Sequence, residues 1–188
     1  MDKRKLYISI IIILIVLIII LGIVFFVKLY EVEKKSSLTP LISPEEVYKE
    51  KPVEKEIYLY FSTEDGEHLA REVRKIKTIP KELPRRVFDE LKKGPHTKGL
   101  YVVFGENIKL RDIYISGNVG FVDFSDSLLS MGMGTTEELL FIYSIVNSLC
   151  FSLNLSKIKF LVNGEEIDTF GHIDISNPIY PNYDILKK

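Results

Sequence analysis

One cysteine, three histidines and near-zero net charge leave this 188-residue chain few routes to chemistry. A single cysteine excludes an intramolecular disulfide. Cys150 lies in the apolar stretch Ser148-Leu149-Cys150-Phe151, where a small buried hydrophobe is expected rather than a thiol activated by a basic neighbour. Charge of one sign is also missing: 25 Lys and Arg stand against 26 Asp and Glu, for a net −1. That balance excludes a nucleic-acid surface, which needs clustered cations to displace counterions. Arg85-Arg86 and Lys92-Lys93 lie near the two ends of one expected helix and read as a solvated face. No serine sits in a Gly-x-Ser-x-Gly elbow. Met131-Gly132-Met133-Gly134 lacks the Lys-Ser/Thr of a phosphate loop, so it reads as a lead into a helix. His68 and His96 fall in expected turns without paired ligand spacing.

What the chain does have is one long apolar run. Residues 6–27 contain no charge and are almost wholly Ile, Leu, Val and Phe, broken by Tyr7, Ser9 and Gly22. About 22 residues rising 1.5 Å each suffice to cross a hydrocarbon core of roughly 30 Å. A cleavable signal would have a shorter apolar region, roughly 7–15 residues, and a small-residue cleavage site. Lys28-Leu29-Tyr30-Glu31 offers none, and no cysteine follows the run to carry a lipid. The expectation is therefore an uncleaved transmembrane helix over residues 6–27. A short tail, residues 1–5, would stay in the cytoplasm and the remainder would lie outside the membrane. The Lys/Arg counts on either side are nearly balanced.

Residues 28–55 read as a linker, rich in Glu, Lys and Ser with Pro40, Pro44 and Pro52. Ser43-Pro44-Glu45-Glu46 suits the cap of one short helix through Tyr48. As a flexible coil the linker holds the downstream domain on the order of 30 Å from the membrane. That single domain is expected over residues 56–180, with a tail at 181–188. Strands are expected at 56–61 and 70–79. Leu83, Val87, Phe88 and Leu91 recur at helical spacing, and Gly94-Pro95 ends that helix. Residues 100–104 suit a loop or short strand. Residues 109–116 and 119–124 form a hairpin through Gly117-Asn118, and 157–162 pairs with 165–168 through Asn163-Gly164. Thr135 and Glu138 have capping-box spacing at the start of the longest helix, whose buried face is Leu139, Ile142, Ile145, Val146, Leu149 and Leu153. Residues 177–183 should be extended. The sum is an α+β fold, with two helices packed on a mostly antiparallel sheet, preceded by one transmembrane helix.

Two polar clusters invite functional readings. In Gly171-His172-Ile173-Asp174 the His and Asp project to one side of an extended chain, as a general base and its orienting partner would. A polar turn in which Asp174 accepts from backbone N–H groups is the better account. Asp123, Ser125 and Asp126 have too few oxygen ligands and no central Gly for a calcium loop. Ser125 or Asp126 is expected to open a short helix through Leu129. No catalytic residue, metal ligand or cofactor is assigned. Tyr101, His172, Asp174 and Tyr180 are the candidate lining of a shallow interaction or ligand groove, suited to a sugar or peptide.

Five pieces in order carry a resemblance. They are Leu91-Lys92-Lys93-Gly94-Pro95; Val119-Gly120-Phe121-Val122-Asp123-Phe124-Ser125 with Leu128-Leu129; Thr136 through Leu149; Ile158 through Gly164; and Gly171 through Pro178. Together they resemble the GerMN domain, the sporulation and spore germination domain. The resemblance implies an exported bacterial envelope protein, with a fold like the ring-building modules of secretion and sporulation channels and no established catalytic residues. The anchor, the linker and the missing catalytic constellation point to a non-enzymatic interaction or assembly module that binds other envelope proteins; its ring-like self-association is what the resemblance implies. A cell-wall glycan or small-ligand sensor is the alternative. Here there is one copy, and a membrane helix stands where a lipid anchor is usual.

Overall fold

The computed structural model describes residues 19–26, 28, 51–105 and 107–187. Most of the apolar run, the expected linker helix near Tyr48 and residues 29–50 lie outside them. Contacts divide the chain into two units, residues 1–49 and 50–188. Of the first, residues 19–26 are helical.

The second unit opens with a long hairpin. Strand β1 (Val53–Thr63) pairs antiparallel with β2 (Leu69–Thr78), Val53 opposite Thr78 and Ser62 opposite Leu69. Thr63-Glu64-Asp65-Gly66 turns between them: the Thr63 hydroxyl and the Glu67 N–H both donate to Asp65 Oδ1. Strand β1 begins three residues before the expected start at Glu56, because Glu54 and Lys55 have Lys77 and Ile76 as partners. A 3-10 turn (Pro80–Glu82) leads into helix α1 (Leu83–Lys93), with Pro84 in the first turn, where its missing N–H costs nothing. The helix buries Val87, Phe88 and Leu91 and stops at Gly94.

Strand β3 (Leu100–Tyr101) adds two residues to the other edge of β1. Strands β4 (Leu110–Ser116) and β5 (Val119–Phe124) form the expected hairpin. Ser125 then caps a 3-10 turn (Asp126–Leu128), its Oγ accepting from the Ser127 N–H, as the capping reading required. Helix α2 (Thr135–Leu153) crosses to β6 (Lys157–Val162), which continues through Asn163-Gly164 into β7 (Glu165–Glu166). Both turn residues have positive φ, as a type I′ turn demands. Strands β8 (Thr169–Phe170) and β9 (Ile173–Asp174) make a last small hairpin.

The architecture is mixed α+β, but the single mostly antiparallel sheet is corrected to several. One sheet has the order β2-β1-β3 and is antiparallel; a second has the order β4-β5-β6-β7, and its central pair β5–β6 is parallel. The reason is topological. A strand followed by a helix and another strand returns in the same direction, and α2 is that crossover.

The core lies between α1, α2 and the sheets. Ile57, Leu59 and Phe61 from β1 meet Val122 and Phe124 from β5 and Phe141, Ile145 and Leu149 from α2. Phe124 stacks on Phe160 and contacts Phe88 and Phe141 at centroid distances of 5.7–6.3 Å. Residues 181–187, expected as a tail, continue the packed unit. Ile185 is buried, its carbonyl accepts from the Leu69 N–H, and the Lys187 N–H donates to the Leu69 carbonyl.

Candidate functional site

Helix α2 is buried on more than its expected stripe. Leu140, Phe141, Ser144, Asn147, Ser148 and Cys150 are buried along with Ile142, Ile145, Val146 and Leu149, while Leu139 and Leu153 are only half-buried. Its polar residues are not spare. Ser144, Ser148 and Ser152 recur every fourth residue, so they share one face. That face lies along β1 beyond its two-residue pairing with β3. Ser148 Oγ accepts from the Tyr60 N–H at 2.9 Å and Ser144 Oγ donates to the Tyr60 carbonyl. Ser152 Oγ accepts from the Tyr58 N–H at 2.8 Å and donates to the Tyr58 carbonyl at 3.1 Å. Three hydroxyls thus satisfy four backbone groups that a neighbouring strand would otherwise take.

Asn147 does the same for the C-terminal segment. It is fully buried; its Oδ1 accepts from the Asn182 N–H and its Nδ2 donates to the Asn182 carbonyl, both at 3.0 Å. Ile179 exchanges two backbone hydrogen bonds with Ile158 on β6. Lys159, buried on β6, donates to the Ser176 carbonyl and pairs with Glu166 at 3.0 Å. Residues 175–187 are therefore a fixed strap rather than a loose end.

The capping box is relocated by one residue. Gly134 is the N-cap, and Glu137, not Glu138, reaches back to its N–H at 3.1 Å. Glu138 is buried instead. Its Oε2 accepts from the His172 N–H at 2.9 Å and lies 3.2 Å from His172 Nδ1. Gly171 makes this possible: its φ is +55°, and a Cβ there would overlap the Glu138 carboxylate.

The candidate residues do not all meet. His172 and Asp174 do not form an imidazole–carboxylate pair: His172 is bound to Glu138, while Asp174 Oδ1 accepts from the Ser176 N–H and hydroxyl at 2.9 and 2.6 Å. Those two donors hold the Asp174 carboxyl below the usual range. This is the polar turn expected from the sequence. Asp174 and Tyr180 line one groove of about 500 Å³, together with Tyr143, Tyr183 and Asp184. Tyr101 lines a different hollow of about 530 Å³ with Phe104, Met131 and Met133, and His172 lines neither. Sequence reasoning missed Tyr143, Tyr183 and Asp184. The spacing of Tyr180, Tyr183 and Asp184 within a proline-bounded extended segment was the available signal.

The remaining polar groups serve structure. Asp123 is buried, accepts from the Gly164 N–H at 2.9 Å and pairs with Arg111 at 3.6 Å. Arg74 is buried between Glu72 and Glu90 and donates to the Gly94 carbonyl, while Glu72 Oε2 accepts from the N–H groups of His96 and Thr97. This cluster ties β2 to the end of α1. His68 lies 3.4 Å from Asp65 in the hairpin turn, and His96 is exposed. Burial pushes the Cys150 thiol up to about 12, which keeps it protonated and unreactive at neutral pH. Among the described residues no group of three or more His, Cys, Asp or Glu could hold a metal ion.

These features define a small mixed α+β module whose buried polar groups are taken up by its own backbone and side chains. The family model described as Germane, sporulation and spore germination, matches residues 58–168, and the chain belongs to that family. Among curated proteins none matches. Of solved structures, the tandem GerMN domains of the sporulation protein GerM from Bacillus subtilis are similar at a TM-score of 0.56 and 21% identity, covering 74% of this chain and 49% of that one. The first GerMN domain of the same protein gives 0.52 and 16%, covering 72% and 98%. This chain thus spans about half of the tandem structure. A Clostridium perfringens protein described as a candidate lipoprotein gives 0.49 and 23%, covering 69% and 88%. At these identities the likeness is one of fold.

Proposed function

We propose that this chain is a membrane-tethered, extracytoplasmic interaction module of the bacterial envelope, without an enzymatic activity of its own. The observation that carries the tether is the helix over residues 19–26. All eight residues are exposed, and seven are Ile, Leu, Val or Phe, with relative exposures of 52–71%. A helix apolar on every side is stable where lipid or protein surrounds it, not water. Residues 6–27 as a whole have the length and composition to span a bilayer once, leaving the folded module outside. The module's own use as a binding partner is supported by β4, where Tyr114 and Ile115 are 49% and 46% exposed although neighbours on a strand face opposite ways. A second copy of this chain or another envelope protein would cover them.

Two experiments test this reading. The full chain should stay in the membrane pellet through alkaline extraction, and a chain lacking residues 6–27 should be released. Retention of the deleted chain would oppose the tether. A photo-crosslinking residue at Tyr114 in cells should yield a larger species that Ile115→Lys removes. No crosslinked species would oppose the interaction half.

A further inference from the structure

The strap over residues 175–187 presents more than its packing requires. Tyr180 and Tyr183 are each 63% exposed, yet the backbone that carries them is fixed from below by fully buried Asn147 and by the two bonds between Ile179 and Ile158. Tyr183 also packs edge-on against Phe151 at 5.6 Å, and Lys157 sits 5.6 Å from the centre of the Tyr180 ring. The aromatic rings are therefore held out on a rigid support. Ordered aromatics of this kind offer contact area at little entropic cost on binding.

The groove between them has a definite polar character. Among the described residues Asp174 accepts hydrogen bonds only on Oδ1, which leaves Oδ2 available. The Asp184 carboxylate has no hydrogen-bond or ionic partner among the described residues; only its N–H is engaged, by Asn182 Oδ1. Among the same residues the Asn182 Nδ2 has no partner either. The lining is thus rich in acceptors and flat apolar faces; beside it Lys157 lies over the Tyr180 ring, and buried Lys159, held by the Ser176 carbonyl, acts on Asp174.

That inventory selects its ligand. Free carboxylates repel phosphates and other anions. A proline-rich peptide would bring carbonyl acceptors and few N–H donors to a surface already dominated by acceptors. A neutral sugar brings hydroxyl donors for the carboxylates and apolar C–H faces for the tyrosine rings.

We infer that the groove formed by Tyr143, Tyr180, Tyr183, Asp174, Asp184 and Asn182 binds a neutral, hydroxyl-rich oligosaccharide, as a glycan-docking site separate from the β4 surface. It rests on the extracytoplasmic placement proposed above only for access to such a polymer; the binding itself does not.

The test is calorimetric titration of the full chain, held in phosphatidylcholine nanodiscs, with soluble N-acetylglucosamine tetramer. A dissociation constant on the order of 0.1–1 mM is expected, weakened about tenfold by Tyr180→Ala and by Asp184→Asn. Tyr180 is largely exposed, so the Tyr180→Ala thermal midpoint should match that of the unchanged chain. Absence of binding to the tetramer and to the equivalent glucose tetramer would overturn the inference. So would binding indifferent to both substitutions, or saturation by a polyproline peptide alone. Incorporation into the nanodiscs reports on the tether and the titration of the incorporated chain on the groove, so the two failures are distinct.

Discussion

Two helices in this chain are apolar enough to be mistaken for each other. One runs through residues 19–26 inside the uncharged stretch 6–27. The other is α2, the one described helix whose length and composition alone would allow it to cross a membrane. What separates them is the polar minority. Residues 19–26 offer no side chain able to hydrogen-bond, and all are exposed. Helix α2 carries Glu138, Ser144, Asn147, Ser148 and Ser152, and each is engaged by the backbone of a neighbouring segment. An apolar helix whose few polar groups have fixed external partners is a core helix. Hydropathy alone does not make that distinction.

The largest effect that would sharpen this comparison is at Asn147. Asn147→Leu keeps the branched outline but strips both bonds from Asn182, and should cost about 2–4 kcal/mol in chemical denaturation. It should also loosen the strap, seen as faster amide exchange at Asn182. Ser148→Ala leaves the buried Tyr60 N–H unpaired and should cost about 1–3 kcal/mol. If both substitutions prove neutral, the ties are incidental and the distinction between the two helices collapses.

A third prediction separates neutral ties from charged ones. Burial pushes Glu72 and Glu90 upward, but hydrogen bonds from Thr97 to Glu72, from Lys93 to Glu90 and from Arg74 to both outweigh it and hold each carboxyl low. A carboxyl depressed in the folded state stabilises above its unfolded pKa, about 4.3, and loses that contribution as pH falls through the folded value. Stability should therefore decline below about pH 4. Arg74→Met should flatten that slope while lowering stability at neutral pH, whereas Ser148→Ala should leave the slope unchanged. Smallest of all, Ile20→Ala should leave the unfolding midpoint of the module unmoved.

The hairpins were legible because their turns are chemically explicit. Asn163-Gly164 and Gly117 demand positive φ, and the structure puts it there. Helix α1 announced itself by period and by Gly94. The parallel β5–β6 pair was implied by the strand–helix–strand order but hidden by the surrounding hairpins. The serine ladder was harder to see, since serine in a helix is usually read as neutral or solvated, and only the tertiary partner reveals Ser144, Ser148 and Ser152 as substitutes for a strand. Glu138 was misplaced by one residue of cap register. The groove was half legible: Asp174 and Tyr180 meet there, but Tyr101 is carried to another hollow by its pairing with Ser62.

Collision accessibility of a single spin label tests the contrast between the two helices most directly. In a Cys150→Ala background reconstituted in bilayers, a label at Ile20→Cys should collide more often with lipid-soluble oxygen than with a water-soluble nickel chelate. A label at Leu139→Cys should show no such lipid preference. A lipid signature at Leu139, or an aqueous one at Ile20, would contradict the account.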